Sequence, residues 1–181
     1  MSMICSDKLN EAVNVTKNPA EILHHTNNAI KTALKQQGDD EGTTKDGMEI
    51  GLVRVNIKTQ QVWFTGANRP LWIIRKSTNE LEEIKPTKAS VASNTAIDFQ
   101  YDLHEFQLAK GDVLYMSSDG YPDQFGGPKG KKYMTANFKK FIVSIKDLPI
   151  AQQQKLIKEN IDEWMKGFEQ VDDLLVIAIK L

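Results

Sequence analysis

The sequence has little cysteine and little net charge, and it contains no long apolar run. Cys5 is the one cysteine among 181 residues, so no disulfide can form within the chain, and we expect a reducing, cytoplasmic location. Because the net charge is only −1, neither nucleic acid nor an anionic membrane is attracted over a distance. No segment approaches the roughly 20 apolar residues that a membrane span needs. Because residues 1–15 include Asp7, Lys8 and Glu11, we do not expect them to form the apolar core of a secretory signal.

The composition is that of an ordinary globular protein, with 40% hydrophobic and 26% charged residues, and the length suits one domain. Apolar residues at helical spacing predict a helix over 2–16. Asn18 followed by Pro19 is a typical helix start and predicts a second helix that ends near residue 38. Two further helices are predicted over 135–145 and 149–166.

Between the two pairs of helices the pattern changes to that of strands. The polar segment 38–47 predicts a loop. Alternating or continuous apolar runs, separated by short turns, predict strands at 48–57, 62–67, 71–76, 80–85, 99–108 and 113–118. The final run, 174–181, is apolar on both faces and predicts a central strand that is covered on both sides. Hairpin connections dominate, so we expect an α+β fold of mainly antiparallel sheets packed in layers, with the helices outside.

Acidic residues stand at the ends of two apolar strands. Asp119 follows the run 113–116, and both Asp172 and Asp173 directly precede the last strand. Taken singly, each acid is typical of an ordinary turn or loop. A pair of strand-end carboxylates is also what a hard divalent cation requires, since such ions prefer oxygen ligands. The residues by themselves leave both interpretations open.

The motifs around these acids resemble a known family. "GDVLYMSSDGYPDQFGG" and "EQVDDLLVIAIKL" are similar to two motifs of the serine phosphatases of the stage II sporulation protein E type, within the PPM (type 2C) metal-dependent phosphatases. The segments "KDGMEIGLVRVN" and "TGANRPLWIIR" resemble the central strands of that family. The opening "MSMICSDKLNEAV" resembles the helix that follows its first metal motif. The resemblance covers essentially the whole chain in order.

This resemblance implies a layered α-β-β-α sandwich and a site for two Mn²⁺ or Mg²⁺ ions. Asp119 and Asp172 would be metal ligands, with Gly120 and Asp173 beside them. A water held by the metals would attack the phosphorus of a phosphoserine.

The sequence departs from the family in one respect, because no Gly-His-Gly turn occurs in it. The resemblance therefore predicts that the first strands and the first metal motif are absent, and that residues 1–181 form the C-terminal major part of a single phosphatase domain. Two carboxylates supply few of the about six ligands that each ion takes, so we expect at most one weak metal site. An uncovered sheet edge would also favour a homo-oligomer.

Other polar residues allow two interpretations each. Asp46, at the start of a strand, is either a turn acid or a residue near the metal edge, and the turn is favoured. Asp123 either faces the site or solvates its loop, and the loop is favoured. In the resemblance Lys129, Lys131 and Lys132 lie on a flexible flap that could attract a phosphoprotein, although a solvated basic loop is the favoured reading.

Two functions are thus predicted from the sequence. The first is a metal-dependent phosphatase domain that hydrolyses phosphoserine or phosphothreonine on a regulatory protein of the anti-sigma-factor antagonist type, and that is weak or inactive as this chain. The alternative is a catalytically silent protein-interaction module derived from such an enzyme.

Overall fold

The computed structural model of the chain describes residues 2–36 and 46–180. Its helices are α1 (Ser2–Val15), α2 (Pro19–Ala33), α3 (Gly120–Asp123), α4 (Thr135–Ser144) and α5 (Ile150–Trp164). Its strands are β1 (Gly47–Met48), β2 (Ile50–Asn56), β3 (Gln61–Ala67), β4 (Leu71–Ile74), β5 (Leu81–Ile84), β6 (Val91–Ala92), β7 (His104–Gln107), β8 (Val113–Ser117), β9 (Phe125–Gly126), β10 (Lys131–Lys132) and β11 (Val176–Lys180). The four longer helices lie where the sequence predicts them. The predicted loop 38–47 falls mostly outside the described residues.

The described residues divide into two compact units, and the first comprises Met1–Leu71 and Ile84–Leu108. Its main sheet has the antiparallel order β2-β3-β7, with Ile50 opposite Ala67 at one end of the predicted hairpin. Helix α2 begins as predicted, because the Asn18 side chain accepts a hydrogen bond from the Ala20 N–H at 3.0 Å. Apolar side chains of α2 that are fully buried pack into the core of this unit.

The second unit comprises Trp72–Glu83 and Ala109–Leu181. Its sheet has the order β11-β8-β4-β5, and the pairs β4–β8 and β8–β11 are antiparallel. Side chains from β4, β8, α3, α4 and α5 form its apolar core, in which Tyr115, Tyr121 and Phe138 are among the most completely buried. This sheet positions residues 117–119 and 172–176 beside each other, because Ser117 lies opposite Val176.

Two of the predicted strands are wrong in part. The last strand, β11, lies at the edge of its sheet among the described residues, and Leu175 and Ile177 are 53% and 40% exposed. An apolar run in the sequence indicates that its side chains are buried, but it does not show how many strands pair with it. Within 99–108 only β7 pairs as a strand. Tyr101 instead anchors a loop, because its buried hydroxyl donates to the Ser90 carbonyl at 2.9 Å.

The fold is α+β with antiparallel sheets, as the sequence predicts. None of the helices in the described ranges is long and apolar enough to cross a membrane.

Candidate functional site

Asp119 stands between a buried strand and a helical turn. It follows β8 and directly precedes α3, with helical backbone angles of φ −74° and ψ −22°, and its side chain makes no capping bond to that turn. The side chain is partly buried. The Asp119 carboxylate therefore lies at the end of the sheet, and it is not a hydrogen-bonding cap of the helix that follows.

The second pair of acids lies in a segment that we call the acid loop, residues 169–173, which leads into β11. Ser118, the neighbour of Asp119, holds the end of this loop. Its hydroxyl donates to the Asp173 carbonyl at 2.7 Å and accepts from the Leu175 N–H at 3.0 Å. The Ser118 N–H also donates to the Leu175 carbonyl at 3.0 Å. Ser118 and Leu175 thus continue the pairing of β8 with β11 by one residue pair, in which the serine hydroxyl accepts the bond from the Leu175 N–H.

Gly120, on the other side of Asp119, touches the same carbonyl. A Cβ added to Gly120 would lie 2.3 Å from the Asp173 oxygen and 3.4 Å from the Asp172 carbonyl carbon. No side chain fits there without displacing backbone, so only glycine allows this approach. Both residues that flank Asp119 are therefore in contact with the backbone of Asp173, and the structure brings the two acidic segments together.

The acids at this position are accessible to solvent. Asp172 and Asp173 are exposed, and the Asp172 carboxylate accepts a hydrogen bond from the Asp173 N–H at 2.7 Å. Within residues 2–36 and 46–180, no group of three or more histidine, cysteine, aspartate or glutamate side chains is placed to hold a metal ion. The oxygen donors fit a hard divalent cation in kind, but two or three carboxylates are few for a complete coordination sphere.

Gln124, which no sequence pattern singles out, follows α3 and is fully buried. Its side-chain amide donates to the carbonyls of Phe125 at 3.0 Å and Glu169 at 2.9 Å. Its side-chain oxygen accepts from the Val171 N–H at 3.2 Å. The only signal in the sequence is a polar residue within the Asp119 motif, and nothing local reveals its partners in the acid loop.

Comparison with known proteins identifies the family. The sequence matches the family Stage II sporulation protein E (SpoIIE) over residues 1–181. The chain belongs to the SpoIIE family. A comparison with curated proteins finds no match.

Solved structures similar to this SpoIIE-family chain share its fold. The PP2C domain of SiaA from Pseudomonas aeruginosa superposes with a TM-score of 0.84 at 24% identity, covering 99% of this chain and 68% of that one. The PP2C phosphatase domain of SpoIIE from Bacillus subtilis, solved with a fragment of its regulatory domain, gives 0.70 at 18% identity and covers 98% and 48%. The serine/threonine phosphatase PstP from Mycobacterium tuberculosis gives 0.63 at 13% identity and covers 99% and 82%. The chain thus spans about two thirds of the SiaA structure and about half of the SpoIIE one.

The predicted flap of this SpoIIE-family chain is a short hairpin in which β9 pairs with β10. Lys129, Lys131 and Lys132 are all exposed, and Lys132 forms an ion pair of 3.0 Å with Asp123. The start of the hairpin turn lies against Trp164, whose carbonyl accepts from the Gly127 N–H at 2.8 Å. Asp123 therefore has a charged partner on the hairpin, and both its role and that of the lysines stay predictions.

Asp46 lies in the other unit, where it is exposed. Its carbonyl accepts hydrogen bonds from the Ser93 N–H at 3.1 Å and the Gln36 side-chain amide at 3.0 Å. These contacts involve only its backbone, so the favoured interpretation as a turn acid and the alternative of a role near the metal edge both stay predictions.

Proposed function

We propose that this chain forms most of a metal-dependent serine/threonine protein phosphatase domain, and that Asp119 and Asp172 are metal ligands in it. The observation that carries the proposal is the contact of Ser118 and Gly120 with the Asp173 carbonyl. That contact holds the two acidic segments side by side, although more than fifty positions separate Asp119 from Asp172 in the sequence. Acids at strand ends keep their positions better than acids on a mobile loop.

The metal is proposed to be Mn²⁺ or Mg²⁺, because both take carboxylate oxygens and water as ligands. A bound divalent cation would lower the pKa of a coordinated water and neutralise phosphoryl oxygens. Asp119 and Asp172 would hold this cation, and Asp173 would keep the Asp172 carboxylate oriented through its N–H. With so few carboxylates together among the described residues, we expect one weak site and very slow hydrolysis by this chain tested alone.

The proposed substrate is phosphoserine or phosphothreonine on a regulatory protein, of the anti-sigma-factor antagonist type that the family resemblance implies. Two similar structures support a role of this kind by their descriptions, one as a serine/threonine phosphatase and one as a cell fate determinant. On this chain the exposed Lys129 and Lys131 on the hairpin would attract a phosphorylated segment, since charged groups steer association over distances of about 10 Å.

Isothermal titration with Mn²⁺ tests the metal site directly. We expect weak binding by the wild-type chain and a loss of about tenfold or more in both Asp119→Asn and Asp172→Asn, because each removes a first ligand. Asp7→Asn is the matched control, since Asp7 is an exposed acid on α1 and its loss should change nothing. Equal Mn²⁺ affinity in all four proteins would refute the metal site. Rapid Mn²⁺-dependent hydrolysis of a chromogenic phosphate ester would refute the expectation of weak activity.

The second candidate function is a catalytically silent interaction module, and the edge position of β11 among the described residues favours it. Leu175 directs both its N–H and its carbonyl towards Ser118 of the neighbouring strand. Because successive strand residues alternate in direction, Val176, Ala178 and Lys180 point theirs away from the sheet. A second copy of this chain would pair there in antiparallel fashion, with Val176 opposite Lys180 around a two-fold axis at Ala178.

Sedimentation velocity measures this self-association. We expect a dimer for the wild-type chain and a monomer for Ala178→Pro, because proline removes an outward-pointing N–H while an edge strand tolerates it. Ala178→Ser keeps that N–H and serves as the control. A wild-type chain that stays monomeric at high concentration would contradict the prediction of a homo-oligomer.

A further inference from the structure

Gln124 links three segments of the second unit. Its backbone carbonyl accepts from the Tyr133 N–H at 2.9 Å and from the Trp164 indole N–H at 3.1 Å, so the backbone at this position is fixed from two sides. Its side chain is free of solvent contact at 0% exposure and points to the acid loop. A buried carboxamide is costly unless it is hydrogen-bonded, and this one makes three of its four possible bonds.

The bonds to the acid loop have the pattern of a strand pairing. The Gln124 amide group donates to the Glu169 carbonyl and its oxygen accepts from the Val171 N–H. These two backbone groups flank Gln170 and face the same side, as they would towards a neighbouring strand. The side chain thus takes the place of a peptide group and holds the loop directly before Asp172.

We propose that Gln124 is a positioning residue that holds Asp172 in place beside Asp119. Asp172 lies between two anchors, Gln124 at residues 169 and 171 and Ser118 at residues 173 and 175. Both anchors belong to the segment 118–124, which also carries Asp119. One short segment therefore carries the first acid and sets the position of the second. This inference rests on the proposed metal site, because the spacing of the two acids has a function only if they bind the same cation.

The structure offers a matched control in Gln153, a second buried glutamine in the same unit at 1% exposure. Its side-chain amide donates to the carbonyls of Leu148 at 2.8 Å and Lys146 at 3.2 Å, and its oxygen accepts from the Tyr115 hydroxyl. Its partners lie in β8 and in the connection between α4 and α5, and none lies in the acid loop. Gln153→Met should therefore cost the fold about as much as Gln124→Met without releasing that loop.

Hydrogen exchange measured by mass spectrometry tests the anchoring. We expect the backbone amides of residues 169–173 to exchange about fivefold faster in Gln124→Met than in the wild-type chain, because the loop loses the hydrogen bonds that the Gln124 side chain makes to Glu169 and Val171. The same amides should keep their wild-type rates in Gln153→Met. Unchanged exchange of these amides in Gln124→Met would overturn the inference.

Mn²⁺ titration then tests the effect on the site. We expect Gln124→Met to weaken Mn²⁺ binding by about tenfold and Gln153→Met to leave it unchanged. In an Asp172→Asn background Gln124→Met should have no further effect on Mn²⁺ affinity, because it acts through Asp172. Additive losses would overturn the positioning role. If the wild-type chain binds no Mn²⁺ through Asp119 and Asp172, the proposed function and the positioning role both fall, whereas the exchange rates still decide whether Gln124 holds the loop.

Discussion

Replacing Gly120 by alanine should displace the acid loop and destabilise the second unit. The added Cβ would lie 2.3 Å from the Asp173 oxygen and 2.9 Å from its carbonyl carbon. Ordinary contact needs about 3.4 Å, so the loop must retreat by about 1 Å, and overpacking of this kind costs about 1–3 kcal/mol. The bond of 2.7 Å from the Ser118 hydroxyl to the same oxygen would be stretched, at a cost of about 1 kcal/mol. Alanine recovers up to about 1 kcal/mol of helix preference in α3. The free energy of unfolding should fall by about 1–3 kcal/mol.

Two measurements on Gly120→Ala separate the displacement from a general loss of stability. Urea unfolding gives the free energy change, and Mn²⁺ titration reports whether Asp172 has moved. Gly167→Ala is the control, because Gly167 has φ +82° and no atom within 4 Å of its added Cβ. It should lose about 1 kcal/mol through the left-handed backbone and keep its Mn²⁺ affinity, whereas Gly120→Ala should bind Mn²⁺ about tenfold more weakly. Wild-type stability and affinity in Gly120→Ala would refute the reasoning.

Two further predictions concern the same unit. Burial alone would raise the pKa of Asp112, but hydrogen bonds from the Ala109 and Lys76 N–H groups and from Arg75 outweigh it and lower that pKa. This carboxylate therefore stabilises the fold above its unfolded pKa of about 4, and the stabilisation is lost as the pH falls through its lower folded pKa. In urea unfolding, Asp112→Asn should be less stable than the wild type by about 2 kcal/mol at about pH 6 and nearly equal to it at about pH 2. A difference that stays constant over this pH range would contradict the prediction. Phe138, which is 0% exposed, packs against Trp72 and Tyr121. Phe138→Ala should therefore lower the free energy of unfolding by about 3–5 kcal/mol in the same assay, and a loss below about 1 kcal/mol would contradict this packing.

Local signals in the sequence were sufficient for the elements that depend on them. The start of α2 follows from Asn18 and Pro19, because a helix cap is made by residues adjacent in the chain. The hairpin between β2 and β3 follows from two apolar runs and a polar turn between them. The position of β11 at a sheet edge could not be predicted in this way, since it depends on which strands lie next to it.

The residues of the candidate site also differ in whether local sequence signals predict them. Asp119 and Asp172 are recognisable because strand-end acids in these motifs resemble those of a known family. Ser118 and Gln124 are not, because each acts on backbone groups of the acid loop that lie more than forty positions away in the sequence. A hydrogen bond to a distant carbonyl leaves no periodicity and no spacing that a single sequence can display.

The contacts of the acid loop also explain why polar and small residues flank Asp119 where an apolar core would be more stable. Ser118 supplies a hydroxyl that both donates and accepts, and Gly120 leaves room for the Asp173 carbonyl. Gln124 contributes a buried amide whose desolvation only its three hydrogen bonds offset. Each of these choices holds the loop at one distance from Asp119, and none of them adds apolar burial. A segment selected for stability alone would not need that distance to be fixed, whereas the proposed pair of metal ligands would need it.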